Sequence, residues 1–248
     1  MLESTYGGRI HKEDDPKARL KEIIQETVSN KGVLLIPVFA RERAQEIIYL
    51  ISQLKDEEPG VALPVYLDSP MGANATQIMM DYREWADLSK EAIYRMQNAV
   101  KLIRDTQTSR FIVEEDKPRI VLAGSGMLEG GRILHYLNKY ISDSKCTLFL
   151  VGFQAEGTRG RALLENCDEI KFFGEYKKVG ARVLYTNALS GHADQNEIMD
   201  WLSNFKTGPN KVFINHGENQ QSQALRVKIE TEFGWNCEVS KMGMRYSL

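Results

Sequence analysis

Short apolar runs at residues 33–38, 64–67, 119–123 and 147–151 alternate with longer stretches whose apolar positions recur every three or four residues. Runs that are apolar at nearly every position suit strands buried on both faces, and helical connections bring such strands into parallel register. The pattern therefore predicts a doubly wound, mostly parallel α/β sheet. Residues 16–30 read as its first helix, with Pro16 in the first turn, Leu20, Ile23, Ile24 and Thr27 on one face, and Gly32 as the stop. Residues 41–54 return as a helix that turns Ile47, Ile48, Leu50, Ile51 and Leu54 to the core. A helical region over 74–106, broken near Leu88-Ser89, leads to a charged, solvated loop at 114–117. Further helices are expected over 130–141 and 161–165.

Near residue 170 the pattern changes. Two short strands flank Gly174-Glu175, Gly180 follows, and strand and helix then alternate twice to end on residues 237–239. The expected architecture is thus a Rossmann-like sheet up to a boundary near Tyr176 and a smaller strand–helix segment after it. No internal repeat or low-complexity stretch interrupts either part.

The chain has 248 residues, 42% of them hydrophobic, enough for a real core. A formal charge of -2 gives no global basic field, so any nucleic-acid contact must use local Lys and Arg. Cys146, Cys167 and Cys237 are odd in number and far apart, which fits a reducing cytoplasm and neither a disulfide framework nor a Cys-x-x-Cys zinc site. No signal peptide or apolar run of membrane-spanning length occurs, and the expected location is cytoplasmic with no membrane contact.

Chemistry concentrates in Ser190-Gly191-His192-Ala193-Asp194 and Asn215-His216-Gly217-Glu218, which hold two of the four histidines. Residues 182–185 run as a strand into the first motif and 211–214 into the second, so both rings are expected at adjacent strand ends, facing one metal or phosphate. Asp194 reads equally well as an acid at the start of its helix. His11 and His135 have no His or Asp at ligand spacing. The loop Gly124-Ser125-Gly126-Met127-Leu128-Glu129-Gly130-Gly131 follows a strand and opens a helix, a setting for an anion. It could also be a tight turn, or serve a dinucleotide, although it is one residue longer than Gly-x-Gly-x-x-Gly and Phe153-Gln154 stands where an acidic residue is expected. Arg41, Arg43, Arg132, Arg159 and Arg161 fall at expected strand ends and would form a phosphate track if clustered, with Phe39 and Phe153 placed to stack on bases.

Together with Leu2-Glu3-Ser4-Thr5-Tyr6-Gly7, these motifs resemble the metallo-β-lactamase nucleases of the β-CASP family, which includes ribonuclease J and the endonuclease that cuts pre-mRNA before polyadenylation. The likeness also runs through Ile36-Pro37-Val38-Phe39-Ala40, Tyr66-Leu67-Asp68-Ser69-Pro70-Met71, Gly130-Gly131-Arg132 and Gly152-Phe153-Gln154-Ala155-Glu156-Gly157-Thr158, in family order. It implies a remnant of the lactamase fold at residues 1–8, a β-CASP domain at 9–176 and the C-terminal strand–helix segment of the lactamase fold at 177–248. It also implies an RNA phosphodiesterase in which His192 is a catalytic histidine, Glu3 orients it and His216 is a zinc ligand. Ser125, Gly126, Gly130, Gly131, Arg132, Ser190 and Gly191 would contact RNA phosphate. The family's His-x-His-x-Asp-His cluster, a further His and a bridging Asp are missing from the sequence. The chain is therefore expected to be the second part of a nuclease, cut by design or by nature, inactive by itself and without tightly held zinc. RNA is the expected partner, with room for a homodimer through the C-terminal segment. The alternatives are a non-catalytic module binding RNA or a nuclease, and a dinucleotide-binding enzyme.

Overall fold

The computed structural model describes residues 1–11, 15–58 and 63–246. In chain order, β1 (Leu2–Glu3) precedes α1 (Pro16–Ser29), β2 (Val33–Pro37), α2 (Arg43–Glu57), β3 (Val65–Asp68), α3 (Pro70–Asp81) and a 3-10 turn at Arg83–Ala86. There follow α4 (Lys90–Ala99), β4 (Lys101–Ile103), α5 (Thr106–Glu114), β5 (Arg119–Ala123), α6 (Ile133–Tyr140), β6 (Thr147–Leu150) and α7 (Arg159–Leu164). The last third comprises β7 (Glu169–Phe172), β8 (Glu175–Lys178), β9 (Arg182–Tyr185), α8 (Gln195–Ser203), β10 (Val212–Asn215), α9 (Asn219–Phe233) and β11 (Cys237–Val239). These elements form two compact units, Asp14–Leu189 in one and Met1–Glu13 with Ser190–Leu248 in the other.

The larger unit is built on a six-stranded, wholly parallel sheet of order β4-β3-β5-β2-β6-β9. Every residue of β2, β5 and β6 is buried, because helices cover both faces. On one face Leu34, Ile36, Leu67, Ile120, Leu122 and Phe149 meet the apolar sides of α1, α2 and α4. On the other, Leu35, Val121, Ala123, Leu148 and Leu150 meet α5, α6 and α7. This is the doubly wound α/β fold the alternating runs predict. Asp15 caps α1 by accepting from the N–H groups of Lys17 and Ala18, and Pro16 follows at the first helical position.

Three features differ from the sequence expectation. The region 74–106 is not one helix with a single break: it holds α3, the 3-10 turn, α4 and β4, with Asp87 in the left-handed region and Ser89 capping α4. Strand β4 pairs with β3 alone and buries only Ile103, so its three residues carry no readable alternation. Helix α6 begins at Ile133 rather than Gly130, because the preceding glycines bond back onto their own loop. Finally, β9 pairs with β6 at the edge of the large sheet, which sets the contact boundary after Leu189.

The smaller unit is a three-stranded parallel sheet of order β1-β10-β11. Leu225 and Ile229 of α9 and Ile198, Met199 and Leu202 of α8 pack with Val212, Ile214 and Cys237 of the sheet. The sheet continues past β1 through a single parallel bridge between Tyr6 and Asp194. That bridge matters for the site, because it carries the His192 loop to the N-terminal segment.

Candidate functional site

Glu3, Ser4 and Thr5 leave β1 with the period-two alternation of an extended chain. Ser4, fully buried, turns inward: its hydroxyl donates to the Asn215 carbonyl at 2.7 Å and lies 2.8 Å from the Ser222 hydroxyl. This fastens β1 to the end of β10, where the chain turns at His216. Glu3 and Thr5 therefore point the other way, to the two histidines. One Glu3 oxygen accepts the Thr5 N–H at 2.8 Å, and the other lies 3.3 Å from His192 Nδ1. The Thr5 hydroxyl sits between the imidazoles, 3.4 Å from His192 Nδ1 and 3.2 Å from His216 Nδ1. The rings are stacked, with centroids 5.3 Å apart and planes 27° from parallel.

The convergence matches the expectation, but the route to it is different. Strand β9 does not pair with β10; its partner is β6, and the partners of β10 are β1 and β11. The His192 loop reaches the site through the Tyr6–Asp194 bridge instead of from an adjacent strand. His216 has a φ of 49°, a left-handed conformation uncommon outside Gly and Asn that tends to gather at functional sites. Its carbonyl accepts from the Thr5 hydroxyl at 3.2 Å. Gly217 is needed beside it, since a Cβ there would come within 2.3 Å of the Ser4 carbonyl oxygen.

Asp194 belongs to the scaffold. It is the N-cap of α8 in a capping box: Oδ1 accepts the Glu197 N–H at 2.9 Å and Glu197 accepts the Asp194 N–H at 2.8 Å. Its Oδ2 accepts the His11 N–H at 2.8 Å. Burial opposes its ionised form, but the Glu197 and His11 N–H bonds outweigh burial and hold its carboxyl below the usual carboxylate range. Ser190 and Gly191 line a cleft of about 500 Å³ together with Glu3 and His192, and Leu2, Ile198 and Trp201 form its apolar wall. The Ser190 hydroxyl accepts the His192 N–H at 3.2 Å.

Donor atoms of Glu3, His192 and His216 all lie within 4.8 Å of one another. Imidazole nitrogen and carboxylate oxygen suit zinc in kind, but tetrahedral zinc places its ligands about 3.4 Å apart and wants four of them. The cluster fits zinc chemically and falls short of a closed site in spacing and number. Sequence reasoning gave no role to Thr5 or to His11, whose Nε2 lies 2.8 Å from the His192 carbonyl oxygen. A contact across 181 positions leaves no spacing signal.

The glycine loop lies in the larger unit, at the end of β5. Ser125 organises it: its hydroxyl accepts the N–H groups of Glu129 and Gly130, its carbonyl accepts that of Leu128, and its own N–H donates to the Gly130 carbonyl. Gly131, at a φ of 77°, packs so closely on Gly124 that a Cβ would lie 2.3 Å from its carbonyl oxygen. The N–H groups of Gly126, Met127 and Gly131 take no part in these bonds. Arg132 donates to Asp68 at 2.7 Å and to the Arg104 carbonyl at 2.9 Å. Of the other expected phosphate ligands, Arg43 pairs with Glu46, Arg159 with Glu129 and Arg161 with Glu165, while Arg41 is exposed. Phe39 is 47% exposed and lies against Gly126. Gln154, standing where a dinucleotide site needs an acid, turns into the loop and donates to the carbonyls of Gly126 and Gly152.

Comparison with known proteins agrees with both units. Residues 44–163 match the Beta-Casp domain, and residues 176–240 match the Zn-dependent metallo-hydrolase RNA specificity domain. The chain is 34% identical to Ribonuclease TTHA0252 of Thermus thermophilus over 91% of its own length and 52% of that protein's. It is 34% identical to the RNase J-like protein of Methanocaldococcus jannaschii, over 92% of this chain and 54% of the relative. Against the transcription termination factor FttA of Pyrococcus horikoshii the identity is 32%, over 94% of this chain and 38% of the relative. The chain thus spans about half the length, or less, of these relatives. With two family domains in order, covering well over half of its residues, the chain belongs to the β-CASP family of metallo-β-lactamase proteins.

Proposed function

We infer that this chain is the β-CASP and C-terminal part of a zinc-dependent RNA phosphodiesterase. The observation that carries the reading is the meeting of Glu3, His192 and His216 donor atoms within 4.8 Å of one another, with Glu3 and His192 lining one cleft. Glu3 and Thr5 hold the Nδ1 side of His192, which turns its Nε2 away from them to bond a scissile phosphate or give a proton to the leaving oxygen. Glu3 orients that ring, as carboxylates behind working imidazoles do. His216 is the metal ligand of the set, and zinc bound there would act as a Lewis acid on a phosphate oxygen. Ser190 and Gly191 offer a polar floor for the phosphate. In the other unit, the N–H groups of Gly126, Met127 and Gly131, unengaged among the described residues, and the exposed Arg41 are the groups that would meet the RNA backbone.

Three donors do not make a closed zinc site, so the isolated chain is expected to bind RNA without cutting it. Fluorescently labelled single-stranded RNA, titrated with the chain at rising salt, should show binding that weakens steadily as salt increases. The same RNA incubated with chain and zinc should stay intact. Absence of binding at low salt would remove RNA as the partner. Cleavage abolished by chelator and restored by zinc would overturn the inactivity.

A further inference from the structure

His11 has no role in the site as described so far. Its Nε2 lies 2.8 Å from the main-chain oxygen of His192. A carbonyl can only accept, so Nε2 carries the proton. Its main-chain N–H donates to Asp194 Oδ2 at 2.8 Å, and its ring meets Tyr6 edge-on with centroids 4.6 Å apart. Nδ1, on the far side of the ring, is buried and has no hydrogen-bond partner among the described residues. Among the described residues the bond from Nε2 to the His192 carbonyl and the edge contact with Tyr6 fix the ring's orientation.

We propose that His11 is a positioning residue that fixes the His192 peptide and, through it, the direction of the His192 ring. The proposal rests on the reading of His192 as the working imidazole. His192 lies outside helix and strand, next to Gly191, so regular backbone bonds do not hold it. Its side-chain contacts, 3.3 Å to Glu3 and 3.4 Å to Thr5, face Nδ1 but are too long to hold a ring that is 43% exposed unless the main chain behind it is fixed. The short bonds in this stretch join main chain to side chain, and His11 makes two of them. It grips the loop at the His192 carbonyl and again at the Asp194 carboxylate, which also starts α8. One residue thereby sets both ends of the segment that aims the imidazole.

The test uses the whole chain, labelled with ¹⁵N-histidine, and follows the His192 ring nitrogens and its χ1 couplings by NMR. His11→Phe keeps a ring against Tyr6 and removes the donor, whereas His11→Gln places an amide N–H near the position of Nε2. In His11→Phe the His192 signals should shift and its couplings average toward free rotation, while His135 stays unchanged. In His11→Gln they should return toward the wild-type values. Wild-type His192 signals in both variants, or equal displacement in both, would overturn the proposal and leave His11 a packing residue. Should His11→Phe fail to fold, His11→Gln decides alone, with native-like signals supporting the proposal and displaced signals overturning it. If His192 moves and is rescued while RNA does not bind, the functional reading fails and the positioning role stands.

Discussion

Each unit holds a polar constellation, and the two are built on opposite terms. In the larger unit Asp68 is fully buried and accepts three short bonds, from Ser109 at 2.6 Å, Tyr136 at 2.7 Å and Arg132 at 2.7 Å. Burial first, and then the Asp68 carboxylate, push the Tyr136 hydroxyl well above its usual pKa, so it remains a donor. In the smaller unit the contacts among Glu3, Thr5, His192 and His216 side chains run from 3.2 to 3.4 Å. A buried acid whose lone pairs are filled by its own chain holds structure together and has nothing left for a ligand. A loosely held imidazole beside a cleft, as His192 is, keeps a nitrogen available. The contrast also places Arg132, which ties the glycine loop to the ends of β3 and β4 through Asp68 and the carbonyls of Ile103 and Arg104.

Substitutions should separate the two constellations. Asp68→Ala leaves the buried Tyr136 phenol without its acceptor and the Arg132 guanidinium without its counter-charge, and should lower unfolding free energy by about 3–5 kcal/mol in urea titrations. A loss below about 1 kcal/mol would erase the distinction. Asp194→Ala removes a cap and the His11 anchor and should cost about 1–2 kcal/mol. The Asp194 carboxyl is lowered in the native state, so its contribution is complete above the unfolded carboxylate pKa of about 3.9 and fades as pH falls through the lower native value. Asp194→Asn should therefore show a shallower loss of stability on acidification than the parent chain, and an unchanged acid limb would contradict that assignment. His192→Ala should change stability by no more than about 0.5 kcal/mol, as for surface positions without structural bonds. A larger loss would mean that the ring is structural after all.

Much of this was legible in the sequence, for identifiable reasons. The strands at 33–38, 119–123 and 147–151 are apolar at nearly every position because both faces are covered, and that pattern survives in one dimension. His192 and His216 stand out because each interrupts an apolar strand-to-helix passage with small residues. Strand β4 did not, since an edge strand of three residues with one buried side chain has no period to read. The partner of β9 was misplaced because an edge strand of intermediate burial carries no mark of which sheet it joins. Thr5 and His11 were silent because their work lies in contacts to residues far along the chain.

That Glu3, His192 and His216 share one site around the metal ligand His216 is tested most directly by a zinc titration of the ¹⁵N-histidine-labelled chain. His192 and His216 should shift together along one binding curve, weakly, with Glu3→Gln weakening both and His135 unmoved. A response from one of the two rings alone, or from neither at any zinc concentration the chain tolerates, would contradict it.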